Sequence, residues 1–137
     1  MASIANRRSL MVLYSDKVSP LGHAVRIVLA EKDVNVEINY TDDETKPEIL
    51  NELNPYNSIL TLIDRDLVLY DPQIIMEYLD ERFPHPPLMP VDPVSRASNR
   101  QLRYRVMSDL YSALTDIDSD NEIAAANAKK ILRDNLT

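Results

Sequence analysis

The sequence predicts an α/β domain followed by an all-helical segment, and three observations carry that reading. Short apolar runs with strand character alternate with amphipathic stretches over the first part of the 137 residues. Five prolines from Pro84 to Pro93 then interrupt the chain. Beyond them only helical spacing is found, and the composition changes, because the excess of acidic side chains is confined to the region before the break.

The elements run in order along the chain. Leu10 to Tyr14 is a short apolar run that reads as a buried strand. Asp16 to Pro20 is a loop, and Leu21 to Lys32 a helix with Leu21, Val25, Val28 and Leu29 on one face. Val34, Val36, Ile38 and Tyr40 alternate with polar residues, the period of a half-buried strand. After the acidic loop Thr41 to Lys46, Pro47 to Leu53 reads as a short helix with proline in its first turn, ended by Asn54-Pro55. Ile59 to Ile63 and Leu67 to Tyr70 are strands joined by the charged turn Asp64-Arg65-Asp66. Asp71-Pro72 is a helix start, a capping side chain followed by proline at the first helical position, and that helix runs to about Phe83. The order βαβ, short helix, ββα is that of a thioredoxin-like domain, with the first two strands parallel.

Asp92-Pro93 repeats the start signal. Leu102, Val106, Leu110, Ala113 and Ile117 then mark one apolar face of a helix reaching Asp118, and Ser119 to Glu122 fits a capping box for a last helix, Ile123 to Leu136. Arg96, Arg100 and Arg103 share a helical face, which reads as solvated. The expected organisation is a domain over 9–87, a proline-rich linker over 88–92, and over 93–137 the first helices of a helical domain cut short. Two helices are too little to bury their own apolar faces, so Leu102, Val106 and Leu110 are expected to be exposed, and the chain to self-associate or to be marginally stable.

Composition narrows the function. Hydrophobic residues make up 45% of the chain, enough for a core. A net charge of −7 argues against direct nucleic-acid binding through a basic surface. Without cysteine there is no disulfide, thiolate nucleophile or CxxC pair, and His23 and His85 are the only histidines, with no metal-ligand spacing around them. His23, early in a helix, reads as a partly buried structural residue. The single glycine, Gly22, leaves no Gly-rich phosphate loop. No signal peptide or membrane span is read, and the expected location is cytoplasmic. The distinctive stretch is Ile74 to Pro90, an amphipathic helix running into a rigid turn that holds His85 between Pro84 and Pro86. Prolines end the helix and stiffen the segment beyond it, so His85 is expected on a fixed, exposed corner suited to docking.

Two segments, Val25 to Lys32 and Ile74 to Pro90, together with the Ile59–Asp71 region, resemble the glutathione-transferase-like fold and, more narrowly, the stringent starvation protein A family. The resemblance extends from about Arg8 to Val106 and weakens beyond. It implies a thioredoxin-like domain followed by an all-helical, glutathione-transferase-like domain. It also implies a homodimer and a non-enzymatic transcription regulator that binds RNA polymerase holoenzyme, through a sigma factor or core subunit, during starvation or stress; no cofactor is expected. The docking role is carried onto Pro84, His85 and Pro86, with Tyr78 and Leu79 beside them as weaker candidates.

Three places bear on glutathione chemistry. Transferases of this fold have a cis-proline before the third strand; here Ser58-Ile59-Leu60-Thr61-Leu62 puts Leu60 at that position, which also departs from the usual stringent starvation pattern. A cis bond before leucine would cost about 2.5–4 kcal/mol, so a trans bond and a reshaped site are expected. The Glu-Ser pair that holds the glutamyl carboxylate is replaced by Asp71-Pro72, a good helix cap but no anion clamp. For the thiol-activating hydroxyl, Tyr14, Ser15 and Ser19 are available, and Ser15 is counted with Leu60, Asp71 and Pro72 among the degenerate positions. The glutathione site therefore reads as degenerate, no catalytic residue is assigned, and a glutathione-dependent transferase or a non-functional fragment remain the alternatives.

Overall fold

The computed structural model describes residues 10–137; the expected domain start at residue 9 and the Met1–Arg8 stretch lie outside the described residues. The chain divides into two compact units, Met1–Leu88 and Met89–Thr137.

The first unit contains β1 (Met11–Ser15), α1 (Pro20–Glu31), β2 (Val36–Tyr40), α2 (Ile49–Leu53), β3 (Thr61–Asp64), β4 (Leu67–Leu69) and α3 (Pro72–Arg82). This is the thioredoxin-like order expected from the apolar spacing. The four strands form one sheet in the order β2-β1-β3-β4. β1 pairs parallel to β2, with Leu13 opposite Ile38, and antiparallel to β3, with Leu13 opposite Leu62. Leu13 thus lies at the centre of the sheet and is fully buried. The core joins Met11, Leu13 and Leu62 from the sheet to Val25 and Leu29 of α1 and Ile75 and Leu79 of α3. In both helices the two core residues are four apart, the spacing that stacks side chains on one helical face.

Two expectations in this unit need correction. Alternation predicts Tyr40 on the buried side of its strand, but it is 49% exposed. It ends the edge strand β2, where its ring lies beneath Lys17 and Arg26, whose charged groups are 5.7 and 5.5 Å from the ring centroid. His23, expected to be partly buried, is exposed, because the buried stripe of α1 runs through Gly22, Val25 and Leu29 and leaves position 23 outside it.

The second unit contains α4 (Pro93–Arg105), a π-helical segment (Val106–Tyr111), α5 (Ser112–Ile117) and α6 (Glu122–Leu136). The continuous helix expected from Pro93 to Asp118 is therefore interrupted. A π-helical turn closes i→i+5 bonds and so takes more residues than an α-turn, which shifts the phase of the apolar stripe. Ala113 is buried, whereas Leu102 is 60% exposed, so the five apolar residues do not form one buried face. Val106, Leu110 and Ile117 are intermediate. The capping box at Ser119 also fails. Asn121 caps α6, its Oδ1 accepting from Ile123 N at 3.0 Å and Ala124 N at 3.2 Å. Ser119 acts one step earlier, its Oγ accepting from Asn121 N at 3.1 Å. α5 packs against α6. No helix among the described residues is long and apolar enough to cross a membrane.

Candidate functional site

The proline turn grows out of α3. Asp71 caps that helix, accepting from Gln73 N and Ile74 N, and Pro72 occupies its first turn. At the other end Pro84 cannot donate a backbone hydrogen bond, and the helix stops at Arg82. Pro84, His85, Pro86, Pro87 and Leu88 are all exposed, and the His85–Pro86 peptide bond is cis. The Arg82 guanidinium lies 4.8 Å from the centroid of the Phe83 ring, so the helix end and the start of the turn are joined by a cation–π contact.

The turn is fixed by a pair of charged residues that carry no local signal in the sequence. Lys32, at the C-terminal end of α1, has a fully buried side chain, and its ammonium contacts Asp80 Oδ1 at 2.7 Å. The same ammonium donates to the carbonyl oxygen of Pro86. Asp80 Oδ1 in turn accepts from the backbone N–H of Leu88 at 2.9 Å. One ion pair therefore holds the turn by an acceptor and a donor on either side of Pro87. Beside its base is a depression of about 280 Å³ whose lining includes Lys32, Asp33, Asp64, Arg65, Arg82 and Phe83.

The two weaker docking candidates are not on this corner. Leu79 is fully buried in the core, which corrects its assignment to a partner surface: it lies one helical turn after Ile75 on the stripe that α3 presents to the sheet and α1. Tyr78 is half-buried and packs against that core. Its hydroxyl donates to Asp64 of β3. Burial, followed by the hydrogen bond to Asp64 and the charge of that carboxylate, raises the Tyr78 pKa above the ordinary phenol value. The tyrosine is thus tied to the sheet, while Pro84, His85 and Pro86 stand at the surface.

At the carboxyl ends of the parallel strands β1 and β2 is a cavity of about 420 Å³, with Asp16, Lys17, Tyr40, Asp42, Asp43 and Thr45 among its lining residues. Open α/β sheets bind ligands at this end. Asp42 Oδ1 accepts from Thr45 N at 2.7 Å, from Thr45 Oγ1 at 2.9 Å and from Glu44 N at 3.0 Å. These bonds, that from the Thr45 backbone foremost, hold the Asp42 carboxyl below its ordinary value. Ser15 is fully buried. Its Oγ donates to the Asp16 carbonyl at 2.8 Å and accepts from Arg26 Nη1 at 2.7 Å. Ser19 Oγ faces the N-terminus of α1, accepting from Leu21 N and Gly22 N. Leu60 is half-buried against the core, and the peptide bond before it is trans. Asp71 and Pro72 serve as the start of α3, where the Asp71 carboxylate accepts from the Gln73 and Ile74 N–H groups and Pro72 has no N–H to offer an anion. Among the described residues there is no group of three His, Asp or Glu side chains placed to hold a metal ion.

Comparison with known proteins places these features. The family model for the N-terminal domain of glutathione S-transferase matches residues 13–87. The stringent starvation protein A homologues of Histophilus somni and Pasteurella multocida are 53% and 52% identical over 136 residues, which is 99% of this chain and 64% of each relative. The chain therefore spans about 64% of the length of these curated relatives. Glutathione S-transferase Z1 of Arabidopsis thaliana is 37% identical over 101 residues, 72% of this chain and 46% of that protein. Among solved structures, the Tau class glutathione S-transferase of mango matches with a TM-score of 0.82 and 28% identity, over 94% of this chain and 60% of the transferase. A rice glutathione S-transferase in complex with glutathione matches with a TM-score of 0.80 and 29% identity, over 90% and 60%. The chain belongs, through its thioredoxin-like N-terminal domain, to the glutathione S-transferase family, and over nearly its whole length it is similar to stringent starvation protein A homologues.

Proposed function

We propose that this chain is a stress-related, non-enzymatic transcription regulator of the glutathione-transferase-like family, one that docks on RNA polymerase holoenzyme through the Pro84-His85-Pro86 turn. The observation that carries the reading is the turn itself, exposed at its side chains and held at its backbone by Lys32 and Asp80. Such a surface loses little conformational entropy on binding, which favours docking. Similarity to proteins named stringent starvation protein A homologues supports the same direction. With a net charge of −7, contact with the transcription machinery through protein is favoured over contact with DNA. A cytoplasmic, homodimeric protein without cofactor belongs to the same proposal.

The test is capture of holoenzyme by the immobilised chain beside His85→Ala, with folding matched by circular dichroism. Retention by the native chain and a fall of about tenfold in His85→Ala is the expected outcome, the scale of a modest hot-spot residue. Equal retention by both would remove the turn from the interface.

A second reading, a glutathione-dependent enzyme, is favoured by the family itself and by the cavity at the ends of β1 and β2. Against it stand the buried, doubly bonded Ser15 hydroxyl, the trans bond before Leu60 and a wall carrying three aspartates to one lysine, unfavourable to an anionic tripeptide. Retention on immobilised glutathione with elution by free glutathione would revive it.

A further inference from the structure

We infer that Lys32 and Asp80 are positioning residues for the docking turn, a role that rests on the proposed function of that turn. Neither touches the exposed face: the Lys32 side chain is 0% and the Asp80 side chain 16% exposed. A buried ion pair is a poor stabiliser of a fold, because desolvating two charges offsets much of their attraction. What such a pair supplies is direction, and here it is directed at the turn. Lys32 Nζ donates to the Pro86 carbonyl, and Asp80 Oδ1 accepts from the Leu88 N–H.

The need for it arises from composition. Pro84, Pro86 and Pro87 have no N–H, so the segment cannot form a ladder of its own, and its exposed side chains pack on little. The backbone groups that remain are the means by which the rest of the domain can hold it, and the pair takes one acceptor and one donor from it. The polarity is specific: an ammonium suits the carbonyl and a carboxylate suits the amide. Exchanging the two residues would restore an ion pair yet present the wrong group to each backbone atom.

The experiment uses the full chain with Lys32→Met, Asp80→Ala and Asp80→Asn. Two quantities are read: hydrogen exchange of the Leu88 amide, with the Leu13 and Leu62 amides as fold controls, and capture of RNA polymerase holoenzyme. Methionine keeps the apolar stem of Lys32 but not its donor. Asparagine keeps an acceptor for Leu88 but not the charge. Asp80→Ala should speed Leu88 exchange by about tenfold or more, the change expected for a lost charge-assisted hydrogen bond, and lower capture by a similar factor. Lys32→Met should lower capture alike, and Asp80→Asn should fall between wild type and Asp80→Ala in both readouts. Because breaking a buried pair also weakens the fold, the Leu88 change is read relative to the two control amides and should exceed theirs in Asp80→Ala. Unchanged Leu88 exchange in Asp80→Ala would overturn the inference, as would faster exchange with wild-type capture. If the native chain captures no holoenzyme, the docking function fails on its own, and Leu88 exchange alone decides whether the pair orders the turn. Should Lys32→Met not fold, the two Asp80 variants decide between the same outcomes.

Discussion

Gly22 illustrates how one residue couples the end of the first strand to the first helix. A Cβ built there would lie 2.9 Å from Ser15 Oγ, 3.2 Å from Asp16 Oδ1 and 3.4 Å from Arg26 Nη1. Helix propensity alone would favour alanine by roughly 0.8–1.0 kcal/mol. The close oxygen, however, belongs to a short, buried side chain pinned by Arg26 and by the Asp16 carbonyl, so it cannot swing aside. Overpacking of this kind costs about 1–3 kcal/mol and should outweigh the gain. Gly22→Ala is expected to be net destabilising and to lower Tm by a few degrees; a Tm at or above wild type would mean that the Ser15–Arg26 contact yields easily. The same scale marks where reading residues from sequence succeeds and where it fails. The exposed corner at His85 is legible because prolines act on their own backbone and their immediate neighbours. Leu79 is not, because nearness to the turn along the chain is not nearness to its surface, and the helical period sends this residue to the core with Ile75. Lys32 and Asp80 are not legible at all: they are 48 positions apart, and neither carries a local signal of the other.

Helix starts show what is readable at the scale of an element. Asp71-Pro72 and Asp92-Pro93 each combine a side-chain acceptor with a residue preset for the first helical turn, and both cap the expected helices. Ser95 N donates to Asp92 Oδ2 at 2.9 Å, and this bond holds the Asp92 carboxyl below its ordinary value. The last helix lacks the proline, and Ser119, Asp120 and Asn121 in succession all satisfy the capping preference. The capping-box spacing favours Ser119, but Asn121 supplies both bonds to the first turn of α6. Asn121→Ala should therefore cost about 0.5–2 kcal/mol, the usual range for losing a cap. Ser119→Ala should cost less, since Ser119 bonds only the Asn121 amide. Urea titrations followed by far-UV circular dichroism would rank the two, and a larger loss in Ser119→Ala would restore the capping box. The π-helical segment Val106–Tyr111 is the other departure at this scale. A periodic apolar pattern assumes one turn geometry throughout, so a change in residues per turn within a helix leaves no mark in the spacing of Leu102, Val106 and Leu110.

At the scale of the whole molecule the two units differ in what they bury. The first encloses a cluster of large side chains, with Leu13, Val25, Ile75 and Leu79 each at 0% exposure. In the second, the buried apolar residues among those described are Ala113 and Ala128, while Leu102, Ile123 and Leu136 are 60%, 74% and 70% exposed. Alanine removes little apolar area from water, and at about 25 cal/mol per Å² the second unit gains correspondingly little from its own interior. Two helices that cannot cover their own apolar faces predict marginal stability; the exposure of Leu102 agrees with that expectation, while Val106 and Leu110 are only partly exposed. Native-state hydrogen exchange should separate the units: amides of α6 should open with a smaller free energy, and a smaller dependence on denaturant, than those of Leu13 and Leu62. One opening free energy common to both sets would mean that the chain unfolds as a single cooperative body. If the units do separate, holoenzyme capture should persist at denaturant concentrations that already open α6, because Lys32, Asp80 and the turn they hold all belong to the better-packed first unit.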